Sequence, residues 1–534
     1  MIIERLRSFY YGSILFYGWK RSLAATVAVM AVSLLLFGLF YPYWQFADQD
    51  LILGYQALLL NDGRTQQYFD HPGYLYVLLL AAWYQLCHWL GALPVHALSL
   101  LPPARDVVAF EAAWQHLVEA GRVLSLIIAG LFVWAFASLL RRLVGDWRIA
   151  AAAALALALS GSLMMHVRIM RTELLSAGLA TMALLLTLLA CGEYKSVWRP
   201  LWLGLAALCG TLAVVTKVQA IFPVLAIPAI ALLFAHRPSD GEPRDHAGSW
   251  WMAGIVTVLA LAAAAPALAL FLKGFASSTA ATAGYRPLGL PDGSYQLAIA
   301  LWIVAAMVAH GIICRAALPD AVAAIAAVAL GVSLGLLSLY IRFHEQNLLA
   351  VTHPIEHMYV YAGWSSPELD RQGQVLNETL FGDLLRGLGT ALAAHTFVLH
   401  TSSRPTLMLE WLTIAGAVVL WRRGDRRLPL QVALMVVVVW GMDTVFTLRG
   451  LKLEYAIYGD PLLIIAAALV AARFPDLLSS PRAQTIGLAV IALSLVWSHI
   501  EPVKPLLTSR TPAETCEWLP IFLKEIGPFP FCRS

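Results

Sequence analysis

Charge is what this chain has least of. Only 13% of its 534 residues are Asp, Glu, Lys or Arg, against about 25% in a soluble domain. That deficit excludes an ordinary water-soluble globule. The net charge is +4, without the basic surplus that would favour nucleic acid as a partner. Cysteine is also scarce, which excludes a disulfide-stapled scaffold. Of six cysteines, Cys87, Cys191, Cys209 and Cys314 fall in or beside apolar segments and are expected to be packing residues. Cys516 and Cys532 share a polar tail and can pair if that tail faces an oxidising space. Internal repeats and low-complexity tracts are missing. So is a small-residue cleavage site after the first apolar run, which follows Arg5, Arg7, Lys20 and Arg21; the run is expected to remain as an anchor.

What is present is hydrocarbon. The chain is 60% hydrophobic, its mean hydropathy is +0.73, and long apolar runs recur along it. This is the pattern of an all-α polytopic integral membrane protein. About thirteen spanning helices are expected, near 23–41, 121–140, 149–166, 172–190, 201–216, 218–235, 250–272, 295–314, 320–340, 406–421, 428–447, 460–472 and 484–499. Several fall short of the ~20 residues of a straight span.

Lys and Arg set the expected orientation. With the N-terminus inside, the inner segments hold about half of the basic residues, and Arg422, Arg423, Arg426 and Arg427 are the clearest marker. This arrangement is N-in and C-out. It leaves two long outer loops, about 42–120 and 342–405, and a short extracytoplasmic tail, 501–534, beyond a transmembrane domain of 1–500. The stretch His71 to Leu93 is apolar and rich in aromatics, as expected of a helix lying on the outer membrane surface. A further spanning helix is the other reading of it, and would invert every later segment.

Asp48 and Asp50 follow directly on the first apolar run. Carboxylates this close to hydrocarbon are costly and usually functional. The same orientation gathers His71, Arg168, Arg171, Glu173, Lys217, Arg449, Lys452, Tyr455 and Asp460 at outer helix ends. Carboxylates among fixed cations suit a reaction in which a phosphate leaves: the cations stabilise the developing charge and a carboxylate takes the acceptor's proton. Each residue also has a plainer reading. Asp48 and Asp50 can cap the next helix, Lys217 can snorkel, Glu173 can answer a helix dipole, and Tyr455 can sit in an aromatic belt. An Asp-x-Asp pair supplies two ligands for a divalent metal, too few to define a site. The His353-Pro-Ile-Glu-His357 spacing is not that of a zinc protease helix. Asp443 stands inside an apolar run, either as a buried functional carboxylate or close to an outer end.

The stretch Asp48-Gln-Asp-Leu-Ile-Leu-Gly-Tyr-Gln-Ala-Leu-Leu-Leu-Asn-Asp-Gly63 with His71-Pro-Gly-Tyr-Leu-Tyr76 resembles the first outer loop of the GT-C glycosyltransferases. The resemblance is nearest to the branch of protein O-mannosyltransferases and lipid A aminoarabinose transferases. Gln49 stands where that branch has Glu, and His71-Pro-Gly where it has Pro-Pro. Three more segments resemble the family in order: Arg168-Ile-Met-Arg-Thr-Glu173, Thr216-Lys-Val-Gln219, and Leu451 through Tyr455 to Pro461. The resemblance implies a GT-C-like fold and an inverting transferase. Its donor is a hexose or pentose on a polyprenyl phosphate, and its acceptor is a lipid, glycan or protein on the outer side. It also implies residence in a bacterial inner membrane, with the site facing the periplasm or exterior. Asp48 is then the catalytic carboxylate, with Asp50 as the alternative; Lys217, Arg168, Arg171, Arg449 and Lys452 are phosphate ligands; Glu173, Tyr455 and His71 complete the site. This reading names no certain cofactor and leaves a divalent metal open and unsupported. An Asp of pKa about 4 is a weak base, so proton transfer would be late and the carboxylate would mainly orient the acceptor. Three other readings remain open: a transporter or flippase of lipid-linked sugar, a surface-polysaccharide polymerase or ligase centred on the 342–405 loop, and a non-catalytic scaffold.

Overall fold

The computed structural model describes residues 2–47, 49–67, 73–192, 198–235, 250–282, 290–341, 349–362, 380–396, 406–474 and 512–532. Asp48, His71, His344, Glu345, the apolar run at 484–499 and parts of the 342–405 loop lie outside these residues. The described chain is helical throughout, and eight of its helices are long and apolar enough to cross a membrane. The chain is an all-α polytopic membrane protein.

In order, α1 (Ile2–Phe37) leads into a helical pair, α2 (Asp50–Asn61) and α3 (Tyr74–Trp89). Then come α4 (Val107–Val144), α5 (Trp147–Ala158), α6 (Gly161–Arg168), α7 (Thr172–Gly192), α8 (Arg199–Thr216) and α9 (Ile221–Phe234). The central part holds α10 (Trp250–Thr282), α11 (Ser294–Ile313), α12 (Leu318–Leu337) and the short α13 (Leu349–Thr352) and α14 (Pro354–Tyr361). The last part holds α15 (Leu380–Thr396), α16 (Thr406–Arg422), α17 (Arg427–Phe446), α18 (Asp460–Ala471) and α19 (Pro512–Phe522). Twelve of the thirteen expected spanning segments fall on these helices, and the thirteenth, 484–499, lies outside the described residues.

The structure differs from the expectation at several helix boundaries. The run at 149–166 is two helices, α5 and α6, bent by 58°, because the Ser160 hydroxyl caps α6 by accepting from the Leu163 N–H. Helix α4 starts fourteen residues before the expected 121, at Val107, where the Asp106 carboxylate caps it by accepting from the Ala109 N–H. Pro354 stands at the first position of α14, where its missing N–H costs nothing, so His353 lies outside the helix that carries His357.

Helix α7 is the centre of the bundle, with 83% of its apolar window buried against 11% for α11, so α11 presents its flank to lipid. Helices α8 and α12 pack through glycines. A Cβ on Gly331 would stand 2.2 Å from the Gly204 carbonyl oxygen, a backbone approach that only a residue without a side chain permits. The outer loop is not loose. Tyr76, Tyr84 and Trp114 are fully buried between α2, α3 and α4, and α3 lies in that packing. The C-terminal segment covers the same face: Phe529 meets Tyr43, Phe110 and Trp114, Glu525 pairs with Arg64, and Cys516 is disulfide-bonded to Cys532.

Asp443 is a buried partner. The His395 ring on α15 donates from Nδ1 to Glu410 of α16 at 2.7 Å and from Nε2 to Asp443 of α17 at 2.8 Å. The ring thus clamps three helices. His395→Ala would take the shared ring partner from two buried carboxyl groups. We expect a loss of about 3–5 kcal/mol in unfolding of the detergent-solubilised protein, and a midpoint equal to wild type would show that the clamp carries no stability.

Candidate functional site

Five of the sequence-nominated residues meet in one place. Glu173 stands in the first turn of α7, where a carboxylate suits the positive helix end. Lys217 ends α8 in extended backbone, so its side chain leaves the helix axis and returns toward α7. Lys217 Nζ is 3.0 Å from Glu173 Oε1, and Arg171 Nε is 3.5 Å from Glu173 Oε2. Arg171 also donates to Glu454 Oε2 at 2.7 Å. Glu454 and Tyr455 belong to the 3₁₀ turn Leu453–Tyr458, which brings the far end of the sequence onto α7.

Tyr361, the last residue of α14, is the hub. Its hydroxyl is 3.1 Å from the Tyr455 hydroxyl. Arg449 Cζ lies 4.5 Å from its ring centroid and Lys217 Nζ 5.9 Å, so one aromatic ring carries two cations. The ring of Tyr455 stacks in turn on Phe446 at 4.5 Å. Burial, with Tyr455 and Glu173 nearby, holds the Tyr361 phenol well above its ordinary 10.0; it stays protonated as a hydrogen-bonding group.

Among the described residues the charges do not cancel: Arg171, Lys217 and Arg449 face Glu173 and Glu454, three cations against two carboxylates. Arg171 and Lys217 are engaged by the carboxylates. Arg449 touches only the Tyr361 face among the described residues, and it is the guanidinium left for a ligand. Burial opposes ionisation of Glu454, but Arg171, helped by Lys452, outweighs it and lowers the carboxyl below its ordinary 4.5. A depressed carboxylate pKa contributes stability above the unfolded value, and that contribution is lost as pH falls through the folded one. We therefore expect a flat melting temperature down to about pH 5 and a decline below pH 4.5. Glu454→Gln should reduce that slope by roughly half; an unchanged slope would exclude Glu454 as its source.

The other nominated residues stand elsewhere. Asp50 is fully buried, with Oδ2 accepting from Arg122 Nε at 3.1 Å and Nη2 at 2.7 Å, and Oδ1 accepting from the Met170 N–H at 2.8 Å. Arg168 turns to α1, donating to the Ser33 hydroxyl at 2.7 Å with Phe37 under its guanidinium. Lys452 is exposed, and Asp460 accepts from the Ser162 hydroxyl. Asp48 and His71 lie outside the described residues, but the backbone next to each is tied to the site. Asp50 holds Met170, the residue before Arg171. The Gly73 N–H donates at 3.0 Å to the carbonyl of Thr216, the residue before Lys217.

Sequence reasoning missed Arg122, Tyr361, Glu454 and His166. Arg122 is hidden in the middle of an apolar helix, where a lone arginine is itself a signal. Glu454 lies in the Leu451–Pro461 segment, next to the nominated Tyr455, and its charge is a signal of its own. Tyr361 had no signal beyond being a tyrosine after a proline-led turn. His166, buried on α6, gives its Nδ1 proton to the Ser162 carbonyl at 2.6 Å, which leaves Nε2 as an acceptor without a hydrogen bond.

An apolar groove of about 680 Å³ runs beside the site between α8, α9, α11 and α12. Val214, Val215 and Ile221, on either side of Lys217 in the chain, line its near end.

No family model matches the chain, and no curated protein matches it. Two solved structures are similar to it. A zinc- and sulfate-bound oligosaccharyltransferase of Archaeoglobus fulgidus is 15% identical, with a TM-score of 0.47, over 96% of this chain and 57% of that one. ArnT of Cupriavidus metallidurans, bound to undecaprenyl phosphate, is 16% identical, with a TM-score of 0.28, over 86% of this chain and 79% of that one. The chain thus spans little more than half the length of the archaeal protein.

Proposed function

We propose that this chain is a GT-C-type glycosyltransferase that moves a sugar, with inversion, from a polyprenyl phosphate to an acceptor on the extracytoplasmic side. The observation that carries the reading is Arg449: a guanidinium stacked on Tyr361, the ring that Lys217 also approaches, in a site whose described residues hold three cations and two carboxylates. Such a site favours an anion, and the apolar groove beginning next to Lys217 favours an anion with a hydrocarbon tail.

In this reading the acceptor oxygen attacks the anomeric carbon and the bond from that carbon to the phosphate oxygen breaks. The electron pair leaves on the phosphate, whose new charge is met by Arg449 and Lys217. The acceptor proton goes to a carboxylate. Both oxygens of Asp50 are committed to Arg122 and Met170, so we assign that role to Asp48, two residues before it. Arg171, Glu173 and Glu454 hold the cations in place, and Tyr361 and Tyr455 form the aromatic wall. His71 is assigned to the acceptor side, through the Gly73–Thr216 link. The membrane sidedness assumed here is that of the Lys and Arg distribution.

The test is an assay of the purified protein in lipid nanodiscs against a panel of polyprenyl-phosphate hexoses and pentoses, reading both sugar transfer and release of polyprenyl phosphate. Transfer that is lost in Asp48→Asn is the expected result. Movement of a lipid-linked sugar between leaflets, with no donor cleaved, would favour the transporter reading instead.

A further inference from the structure

The far end of the groove is not apolar. Along α8 it is lined by Leu203, Ala207, Thr211 and Val214, one face of an 18-residue helix about 27 Å long at 1.5 Å per residue. It therefore covers nearly the whole hydrocarbon thickness of a bilayer, about 30 Å. It ends at Arg199, the first residue of α8, and at Arg315 just beyond α11.

Arg199 is buried, at 6% exposure. Its Nη2 donates to His310 Nδ1 at 3.1 Å, and its Nε has no hydrogen-bond partner. A ring nitrogen that accepts from a guanidinium carries no proton, so His310 is neutral, and its Nε2–H faces Cys191 Sγ at 3.2 Å. Cys314 is the other neighbour of that ring. Among the described residues Arg199 meets no carboxylate. A buried cation without a counter-ion costs several kcal/mol, and a site that keeps one implies an anion that supplies the charge.

Arg315 adds a second, independent sign. Helix α11 ends in a Schellman motif, with the Ala316 N–H bonded to the Gly311 carbonyl and the Arg315 N–H to the Ile312 carbonyl. Glycine is the usual residue at the left-handed position of this motif, yet Arg315 occupies it at φ +48°. An L-residue there costs roughly 1–2 kcal/mol. The strained residue is one whose side chain lines the groove mouth. Trp198 beside it is 59% exposed, as suits the membrane–water boundary.

We propose that Arg199 and Arg315 bind the phosphate of an anionic bilayer phospholipid whose chain fills the groove from the end opposite Lys217. A phosphate at the boundary can take both the open Nε–H of Arg199 and a second guanidinium. Phospholipid is the amphiphile that the boundary presents in bulk. The inference does not depend on glycosyl transfer; it needs only the groove and a buried guanidinium that meets no carboxylate among the described residues.

The experiment measures thermal stability of the full-length protein in detergent while phosphatidylglycerol is titrated, with phosphatidylcholine, farnesyl phosphate and inorganic phosphate as separate arms. Wild type should be stabilised by phosphatidylglycerol and much less by zwitterionic phosphatidylcholine. Arg199→Gln should weaken the apparent phosphatidylglycerol affinity tenfold or more, and Arg199→Lys should retain part of it. Without lipid, Arg199→Gln should melt no lower than wild type, because the variant removes an unpaired buried charge; a large drop would mean that Arg199 is structural and overturn the assignment. Equal stabilisation by phosphatidylcholine, or full phosphatidylglycerol binding by Arg199→Gln, would overturn it as well. Stabilisation by inorganic phosphate alone would reduce the site to a simple anion site. Displacement of phosphatidylglycerol by equimolar farnesyl phosphate would pass the site to an isoprenyl carrier.

Discussion

Lys217→Ala is expected to slow sugar transfer by about 10²- to 10³-fold, the usual effect of removing one preorganised group from a developing negative charge. The loss should fall on turnover rather than on donor affinity, because a departing phosphate gains charge only as the bond breaks. The variant also strips Glu173 of its nearest cation, leaving Arg171 at 3.5 Å and the Thr172 hydroxyl at 3.4 Å. A paired variant, Glu173→Gln with Lys217→Ala, removes that complication. It should recover stability and remain inactive. Recovery of both would reduce Lys217 to a counter-ion for Glu173, and the phosphate role would pass to Arg449 alone. Steady-state kinetics in nanodiscs, beside chemical unfolding of the same samples, separates the two results.

Arg122→Met is expected to be the most destabilising single change, at about 3–5 kcal/mol or more. Arg122 is fully buried. It satisfies Asp50 and donates from Nη1 to the carbonyls of Gly38, Leu39 and Tyr41 at 2.8, 3.2 and 2.9 Å. Its loss leaves a buried carboxylate and three carbonyls short of a donor, and it frees the segment that leads to Asp48. Asp50→Asn with Arg122→Met removes both charges and should restore part of the stability. Asp50→Asn alone separates anchor from base. A stability loss with transfer lowered in proportion marks an anchor, whereas intact stability with transfer abolished would return the catalytic role to Asp50.

Legibility in the sequence differed from residue to residue. Glu173 and Lys217 could be nominated because each stands where an apolar run stops, and a charge at such a boundary is conspicuous. Arg168 is conspicuous for the same reason and yet faces α1, since position along a helix end does not say which way a side chain turns. Tyr361 was silent because its importance is relational: it matters through the two cations that meet its ring and the hydroxyl of Tyr455. Arg122 could have been found as a charge within an apolar helix, but its partner is 72 residues away, and nothing local names it.

The sequence by itself determined that the chain is helical and lives in a membrane. Hydrocarbon offers the backbone no hydrogen bonds, so long apolar runs have to satisfy their own amides. It also marked many helix ends through the charges that stand there, but not the Ser160 and Asp106 caps, which the structure revealed. The tertiary structure alone decided which of those ends meet. Bringing Arg171, Lys217, Arg449, Glu454 and Tyr361 to one place requires four separate stretches to pack around α7, and packing depends on shape complementarity between distant surfaces that one-dimensional periodicity does not encode. The gathering of cations in that site, and the buried Arg199 with no carboxylate among the described residues at the other end of the groove, exist only once the chain is folded. Each is a sum over neighbours that the fold selects.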